Sequence, residues 1–202
     1  MRFLITGFSP FGKSKTNPSA EAVRLLPDTL GGHEIFRAEL PVVYGKCWDE
    51  LHSQILRVQP DCVLCLGQAA GREGISLENT AVNVRASSEA DNAGVTFSGE
   101  KIDEDGPESL SARLPMKELT QFLREAGLPA KISYSAGTYV CNDLFYHLLR
   151  YAEAEDPQLL CGFLHIPPDE SQLEYFAPGT PFLPTGEIVR TLKAAVAFLG
   201  ER

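Results

Sequence analysis

One cysteine of the sequence stands where a helix is predicted to begin. Cys141 follows the small-residue segment SAGTYV and opens a stretch with apolar residues at helical spacing: Leu144, Phe145, Leu148 and Leu149. At a helix N-terminus, the dipole and the free backbone N–H groups favour a thiolate and lower the pKa of the thiol. The same N–H groups can hold the oxyanion of an acyl-transfer intermediate. Cys141 is therefore a candidate nucleophile; the alternative is a small buried cysteine at a strand–helix junction.

A histidine at a strand end is the candidate base for this thiol. His165 ends the apolar run LLCGFL and is followed by Ile-Pro-Pro. We expect a parallel sheet to bring this strand end close to the end of the strand that precedes Cys141. A thiol beside an imidazole forms an activated nucleophile with its general base. The alternative is a histidine that caps the strand through a backbone hydrogen bond.

Glu78 is the candidate third member of the group. It lies in the segment ISLENTAVNV, and if that segment is extended it shares a face with Thr80, Val82 and Val84. A carboxylate on an apolar face needs a partner, because burying an unpaired charge is costly. An imidazolium is a suitable partner, and a carboxylate can orient a histidine. The alternative is an exposed edge strand with this face in water.

Other motifs carry weaker signals. Cys62 and Cys65 have C-x-x-C spacing, but they lie within an apolar strand where positions three apart point to opposite faces, so both are predicted to be core residues without metal or redox work. The Gly-rich segments TGFSPFG and GQAAGREG follow strands and match no dinucleotide or P-loop fingerprint. They are interpreted as tight turns that expose four side chains: Phe8, Phe11, Gln68 and Arg72.

Strand-like and helix-like segments alternate along the chain. We predict extended segments over residues 2–6, 34–40, 61–66, 75–84, 130–134 and 159–166, and helices over residues 18–26, 45–57, 116–125, 142–152 and 186–199. This alternation indicates an α/β fold with a central, mostly parallel sheet covered by helices on both faces. Residues 86–110 are polar, acidic and long for a connection, which is typical of a functional flap or mobile loop. The alternative is a solvated hairpin or a disordered loop.

The composition limits the class of protein. The chain has 202 residues, of which 44% are hydrophobic and 22% charged, and its formal net charge is -9. Such a surface repels nucleic acid and anionic membranes, so neither is an expected partner. Five cysteines do not form a secreted disulfide framework, and no segment resembles a signal peptide or a membrane span, so we expect a cytoplasmic protein with reduced thiols.

Several long segments then carry a family resemblance. The chain resembles pyroglutamyl peptidase I, also called pyrrolidone carboxyl peptidase, a family of cysteine peptidases. The resemblance runs from about Phe3 to His165 and continues more weakly to the end. The matching segments are TGFSPFG with NPS, ELPVVYG, GQAAGREGISLENTAVN, LPMKEL, REAGLPAKISYSAGTYVCN and GFLHIP. Several long motifs in one order are more specific than any single short one.

The resemblance implies a fold, an activity and a set of site residues. It implies one α/β/α sandwich over residues 1–202, with a mostly parallel, mixed sheet, that assembles into dimers or tetramers. It implies an omega-peptidase that hydrolyses the bond after an N-terminal pyroglutamyl residue of small peptides, through a thioester and without a metal or organic cofactor. The implied catalytic residues are Glu78, Cys141 and His165; the implied substrate-binding residues are Phe8, Phe11 and Gln68.

The chain also departs from the family pattern. The family commonly has Glu-Arg where this chain has Glu78-Asn79, and an Asp-Ala-Arg run where it has Ala86-Ser87-Ser88. Ser88 cannot supply the charge of that arginine, and Arg72 and Arg85 are the candidates to replace it. Two alternatives follow: a non-catalytic homologue that binds pyroglutamyl peptides, and a phosphorolytic nucleosidase on a similar sandwich.

Overall fold

The computed structural model describes all 202 residues. The strands are β1 (Arg2–Phe8), β2 (Thr29–Leu30), β3 (His33–Leu40), β4 (Cys62–Gln68), β5 (Ile75–Glu78), β6 (Thr80–Val82), β7 (Arg85–Ser87), β8 (Phe97–Glu100), β9 (Ser109–Ser111), β10 (Ala130–Ser133) and β11 (Leu160–Ile166). The helices are α1 (Pro18–Arg24), α2 (Lys46–Val58), α3 (Met116–Glu125), α4 (Val140–Ala154) and α5 (Thr185–Gly200), with a 3₁₀ turn at Glu170–Tyr175.

A seven-stranded mixed sheet forms the centre of the molecule, in the order β10-β5-β11-β4-β1-β3-β2. Strands β3, β1, β4 and β11 are parallel, while β5 pairs antiparallel with β11, and β10 is parallel to β5. The prediction of a mostly parallel, mixed sheet is confirmed. The end of β11 and the end of β10, the strand before Cys141, lie close together as expected, but the expected parallel arrangement is wrong. β5 lies between them and runs antiparallel to β11, so that Ser133 of β10 pairs with Glu78, which pairs with Phe163 of β11.

Helices cover both faces of this sheet. Because side chains alternate along a strand, Phe3 and Ile5 pack with α1, α3 and α5 on one face, while Leu4 packs with α2 and α4 on the other. The same alternation separates Cys62 and Cys65, which are fully buried in the two different cores, as predicted. The result is a three-layer α/β/α sandwich.

The predicted elements match the structure closely except over residues 75–84. That segment is divided at Asn79 into β5 of the central sheet and β6, which pairs with β9 in a separate small sheet. The face expected to join Glu78 to Thr80 therefore does not form. Glu78 instead shares a face of β5 with Ser76, and both are fully buried.

Residues 85–100 form a hairpin that is attached to the body of the protein, and residues 101–108 lead from it to β9. Strands β7 and β8 pair with each other. Ala86 makes two hydrogen bonds to Thr138: its N–H donates to the Thr138 carbonyl at 2.9 Å, and its carbonyl accepts from the Thr138 hydroxyl. At the tip, the Asn92 N–H donates to the Val42 carbonyl, and the Asn92 side chain donates to the Pro10 carbonyl. Within the predicted segment 86–110, the β7–β8 part is thus a hairpin that is hydrogen-bonded to the body of the protein near its base and at its tip. No helix of the structure is long and apolar enough to span a bilayer.

Candidate active site

The register of β5 against β11 brings a carboxylate to an imidazole. Glu78 pairs with Phe163 and Ser76 pairs with His165, so Glu78 and His165 lie diagonally on one face of the sheet. The distance from Glu78 Oε1 to His165 Nδ1 is 2.8 Å, and both side chains are almost completely buried. This contact fixes the ring and leaves Nε2 as the imidazole nitrogen that is available to another group.

Arg72 connects this pair to the chain that leads to the candidate nucleophile. Its Nη2 donates to Glu78 Oε1 at 3.1 Å and to the Ser135 carbonyl at 3.2 Å. Its Nη1 donates to Ser133 Oγ at 3.3 Å. A guanidinium can satisfy several acceptors at once because its donors are arranged in a planar fork. Arg72 therefore places a positive charge beside the buried Glu78 carboxylate and holds the turn that follows β10.

Arg85, the other arginine considered at this site, lies elsewhere. Its Nε donates to Asp143 Oδ1 at 2.6 Å, and its guanidinium lies 5.4 Å from the centre of the Phe97 ring. Of the two arginines, only Arg72 contacts Glu78. Ser88 is exposed in the hairpin, and Asn79 is half-buried with its side chain toward Thr80.

Cys141 occupies the first turn of α4, above the end of β4. A methyl group added at Gly67 would lie 2.8 Å from Cys141 Sγ and 2.8 Å from Phe163 Cζ. Gly67 in turn pairs with His165 in the sheet. The Cys141 sulfur therefore lies in the space that a side chain at position 67 would occupy. Position 67 is the neighbour of His165 in the sheet.

The environment of the Cys141 thiol differs from the expectation. Burial, with a smaller contribution from the negative charge of Glu78, raises its pKa to about 12, while the backbone N–H of Cys141 itself acts in the opposite direction. The predicted lowering by the helix N-terminus is wrong for the ligand-free site, because removal from water outweighs the helix contribution. Cys141 rests as a neutral thiol and requires a base to become nucleophilic.

The first turn of α4 has backbone donors available for a ligand. The first intrahelical bond is donated by the Asp143 N–H to the Tyr139 carbonyl, and no side chain caps the helix. The N–H groups of Val140, Cys141 and Asn142 have no acceptor elsewhere in the chain. The Asn142 side chain holds the turn in place through bonds to the Val82 N–H and to the carbonyls of Val82 and Val84. These donors suit an oxyanion.

Two adjoining cavities open at this site. The larger one, which we call the thiol cavity, has a volume of about 630 Å³ and is lined by Cys141 and His165. The smaller one, which we call the aromatic cavity, has a volume of about 410 Å³ and is lined by Phe11 but by neither of those residues. Three residues line both cavities: Gln68, Ala70 and Tyr139.

The three predicted substrate-binding residues have different positions. Phe11 is half-buried in the aromatic cavity. Gln68 lies between the cavities, and its Oε1 is buried without a hydrogen-bond partner in the chain. Phe8 is only 2% exposed and lines neither cavity, so its predicted exposure is wrong. The reason is that β1 continues to Phe8, whose N–H donates to Ser19 Oγ at 2.9 Å and whose ring packs toward Phe163.

Sequence reasoning missed several residues of the site. Gly67 had a detectable signal, since a glycine at the end of an apolar strand indicates a close approach by another group. Tyr139 also had a detectable sequence signal, because it lies two residues before the candidate nucleophile. Tyr175 and Phe176 line the aromatic cavity from the 3₁₀ turn after β11, and nothing local in the sequence indicates this contact.

Comparison with known proteins places these features in a family. The model of the pyroglutamyl peptidase family matches residues 1–201. A pyrrolidone-carboxylate peptidase of Lactobacillus johnsonii is 41% identical over 202 residues, which is 100% of this chain and 94% of the relative. One of Finegoldia magna is 43% identical over 167 residues, covering 83% of this chain and 78% of the relative.

Solved structures give the same result. The pyroglutamyl peptidase I of Bacillus amyloliquefaciens superposes with a TM-score of 0.92 at 38% identity, covering 97% of this chain and 93% of that one. A variant of the pyrrolidone carboxyl peptidase of Pyrococcus furiosus superposes with a TM-score of 0.93 at 32% identity, covering 100% and 99%.

Proposed function

This chain belongs to the pyroglutamyl peptidase family of cysteine peptidases, and we propose that it releases pyroglutamate from the N-terminus of peptides through Cys141. One observation carries the assignment of residues. His165, which contacts Glu78 at 2.8 Å, lines the same cavity as Cys141. A thiol, an imidazole and an orienting carboxylate are the parts that acyl transfer requires.

Acylation starts with proton transfer from the Cys141 thiol to His165 Nε2. Because the thiol is neutral at rest, its sulfur becomes nucleophilic as the proton leaves. The sulfur attacks the pyroglutamyl carbonyl carbon, and the free N–H groups of the α4 first turn hold the oxyanion. The bond from carbon to the leaving nitrogen then breaks, and the leaving nitrogen takes the proton from His165.

Deacylation uses the same groups in reverse order. Water gives a proton to His165 Nε2 while its oxygen attacks the thioester carbon. The carbon–sulfur bond breaks, the proton returns to the Cys141 sulfur, and pyroglutamate leaves. Glu78 stabilises the imidazolium that forms in each half of the reaction, and Arg72 holds Glu78 in place.

The aromatic cavity supports recognition of the pyroglutamyl ring. Pyroglutamate is a neutral lactam, and the aromatic cavity offers it aromatic walls beside polar side chains, with Lys13 and Glu89 in its lining. Phe11 supplies an aromatic wall, and the unpaired Gln68 Oε1 is an acceptor for the lactam N–H. Phe8 is buried against Phe163 and lines neither cavity, so we assign it no contact with the ring. A site that pairs both lactam groups rejects residues that lack them.

Three further expectations accompany this proposal. One catalytic domain over residues 1–202 is supported by the single central sheet that both ends of the chain help to cover. Assembly into dimers or tetramers stays a prediction, which light scattering after gel filtration tests. A cytoplasmic location stays a prediction, which cell fractionation tests.

Release of a fluorophore from a pyroglutamyl amide tests the proposed function. We expect Cys141→Ala to abolish release and Cys161→Ala, which removes a buried sulfur outside both cavities, to retain it. Full activity of Cys141→Ala would refute the assignment. Binding of a pyroglutamyl peptide without turnover by the wild type would favour the non-catalytic homologue, and phosphate-dependent cleavage of nucleosides would favour the nucleosidase. The family matches favour neither alternative.

A further inference from the structure

We propose that the thiol cavity binds the residue that follows pyroglutamate, and that Tyr134 selects an aromatic or large apolar side chain there. This inference rests on the proposed function. Tyr134 is a large side chain that is 70% exposed and yet lines the cavity that contains Cys141 and His165. Single exposed apolar groups are common on protein surfaces, so its position in the cavity has to carry the assignment.

The division between the two cavities fixes the direction of the substrate. His165 has to reach the leaving nitrogen in order to protonate it. His165 and Cys141 line the thiol cavity and not the aromatic cavity. With the pyroglutamyl ring in the aromatic cavity, the leaving peptide therefore extends from the sulfur into the thiol cavity. Gln68 and Tyr139, which line both, mark the point where the scissile bond crosses.

The backbone around Tyr134 is held firmly although the ring is exposed. On one side, the Ser133 carbonyl accepts from the Asn79 N–H at 2.7 Å. On the other side, the Ser135 carbonyl accepts from Arg72 Nη2, the same nitrogen that contacts Glu78. The ring is thus presented from a fixed backbone that is tied to the catalytic carboxylate. A surface ordered before binding loses less conformational entropy when a ligand arrives.

The lining of the thiol cavity also indicates what it does not select. Several of its other walls are small residues, among them Ala69, Ala136 and Gly137, which leave room for side chains of different size, and Tyr139 is a second aromatic residue at the border with the aromatic cavity. No acidic side chain lines it, and Arg72 is its only permanent charge. The donors of Arg72 are directed to Glu78 and to the turn after β10. Stacking on Tyr134 is therefore the main source of preference.

Two substrates that differ only after pyroglutamate test this subsite. Pyroglutamyl-phenylalanine amide and pyroglutamyl-alanine amide both lack a terminal carboxylate, so Arg72 cannot bias the result. We expect wild type to have the higher kcat/KM on the phenylalanine substrate, and Tyr134→Ala to lower the ratio of the two values by about 2- to 10-fold. Tyr134→Phe should keep the ratio, because it keeps the ring.

The control is Leu25→Ala, which removes an exposed apolar side chain at the end of α1, and it should leave the ratio unchanged. Because Tyr134 is exposed, its variants should fold, and retained turnover of the alanine substrate confirms that they do. An unchanged ratio in Tyr134→Ala, with both substrates cleaved, would overturn the subsite alone. Failure of wild type to release pyroglutamate from either substrate would overturn the proposed function together with the subsite.

Discussion

The Glu78 carboxylate acts on two neighbours with opposite consequences for reactivity. It accepts a hydrogen bond from His165 and so stabilises the imidazolium that acylation produces. It also raises the pKa of Cys141, after the larger effect of burial, and so disfavours a thiolate in the free enzyme. The first effect assists proton transfer from the thiol to the imidazole, while the second keeps the proton on the sulfur of the free enzyme.

Replacement of this carboxylate separates the two effects. In Glu78→Gln we expect the pH midpoint for alkylation of Cys141 by iodoacetamide to fall, because a negative charge near the sulfur is lost. Turnover should fall by on the order of 10²–10⁴-fold, because the imidazole loses its orienting partner. Glu73→Gln, at an exposed neighbouring position, is the control for both measurements. An unchanged or higher midpoint in Glu78→Gln would show that the sulfur does not sense this carboxylate.

At the scale of elements, the site depends on close contact between the end of β4 and the start of α4. Gly67 has an ordinary backbone conformation, so the requirement for glycine here is one of space and not of φ. The Cys141 sulfur and the Phe163 ring occupy the volume in which a side chain would stand. Interiors packed to this density do not absorb an added methyl group without movement.

Gly67→Ala tests this contact. We expect kcat/KM to fall by about 10²-fold, because a displacement of the nucleophile of around 1 Å is enough for such a loss. The free energy of unfolding should fall by about 1–3 kcal/mol from overpacking. Gly186→Ala, where the added methyl group meets nothing within 4 Å, should leave kcat/KM unchanged and should not lower the free energy of unfolding, since alanine in helix α5 adds up to about 1 kcal/mol. A normal kcat/KM in Gly67→Ala would contradict the requirement for this close contact between position 67 and the Cys141 sulfur.

The β7–β8 hairpin is linked to the site by hydrogen bonds to neighbouring loops. Ala86 is hydrogen-bonded to Thr138, which lies shortly before Cys141, and Asn92 is hydrogen-bonded to Pro10, in the loop after β1. The hairpin therefore connects two segments that contribute residues to the aromatic cavity. Backbone hydrogen bonds of this kind are protected from exchange with solvent only while the segment stays in place.

Hydrogen exchange of the ligand-free enzyme tests whether this hairpin opens. We expect the amides of Ala86 and Asn92 to exchange at least about 10²-fold more slowly than the amide of Glu104, which is exposed and has no acceptor in the chain. Equal rates at the three positions would indicate that the hairpin opens freely and acts as a lid.

At the scale of the whole molecule, the cysteines link stability to pH. All five are unpaired, and burial raises the pKa of each thiol, to about 12 for Cys65, Cys141 and Cys161. In the unfolded chain a thiol ionises near pH 8.5. Above that pH the unfolded state binds fewer protons than the native state, so the free energy of unfolding falls as pH rises toward 12.

Cys65→Ala measures the share of one thiol in this dependence. Between pH 9 and 12 we expect the slope of unfolding free energy against pH to become shallower by up to about 1.4 kcal/mol per pH unit. Leu64→Ala is the control: it also lowers stability by leaving a cavity, but it removes no titrating group and should keep the slope. Denaturant titrations over this pH range give both slopes. A slope that Cys65→Ala leaves unchanged would contradict the raised pKa of this thiol.

The amino-acid sequence by itself determined the fold class and the candidate residues for the chemistry. Hydrophobic periodicity is local, so the helices and most strands follow from it, as does the separation of Cys62 and Cys65 onto two faces. The positions of Cys141 at a helix start and His165 at a strand end follow from the same patterns, and the family resemblance was readable from long motifs.

Only the tertiary structure decided how these residues meet. The insertion of β5 antiparallel to β11 sets the diagonal register between Glu78 and His165, and pairing partners of distant strands are not encoded in local periodicity. The raised pKa of Cys141 depends on how much water the folded protein removes from the sulfur, which outweighs the local helix terminus. Burial of Phe8 and the placement of Tyr134 in the thiol cavity are likewise results of packing between segments far apart in the chain.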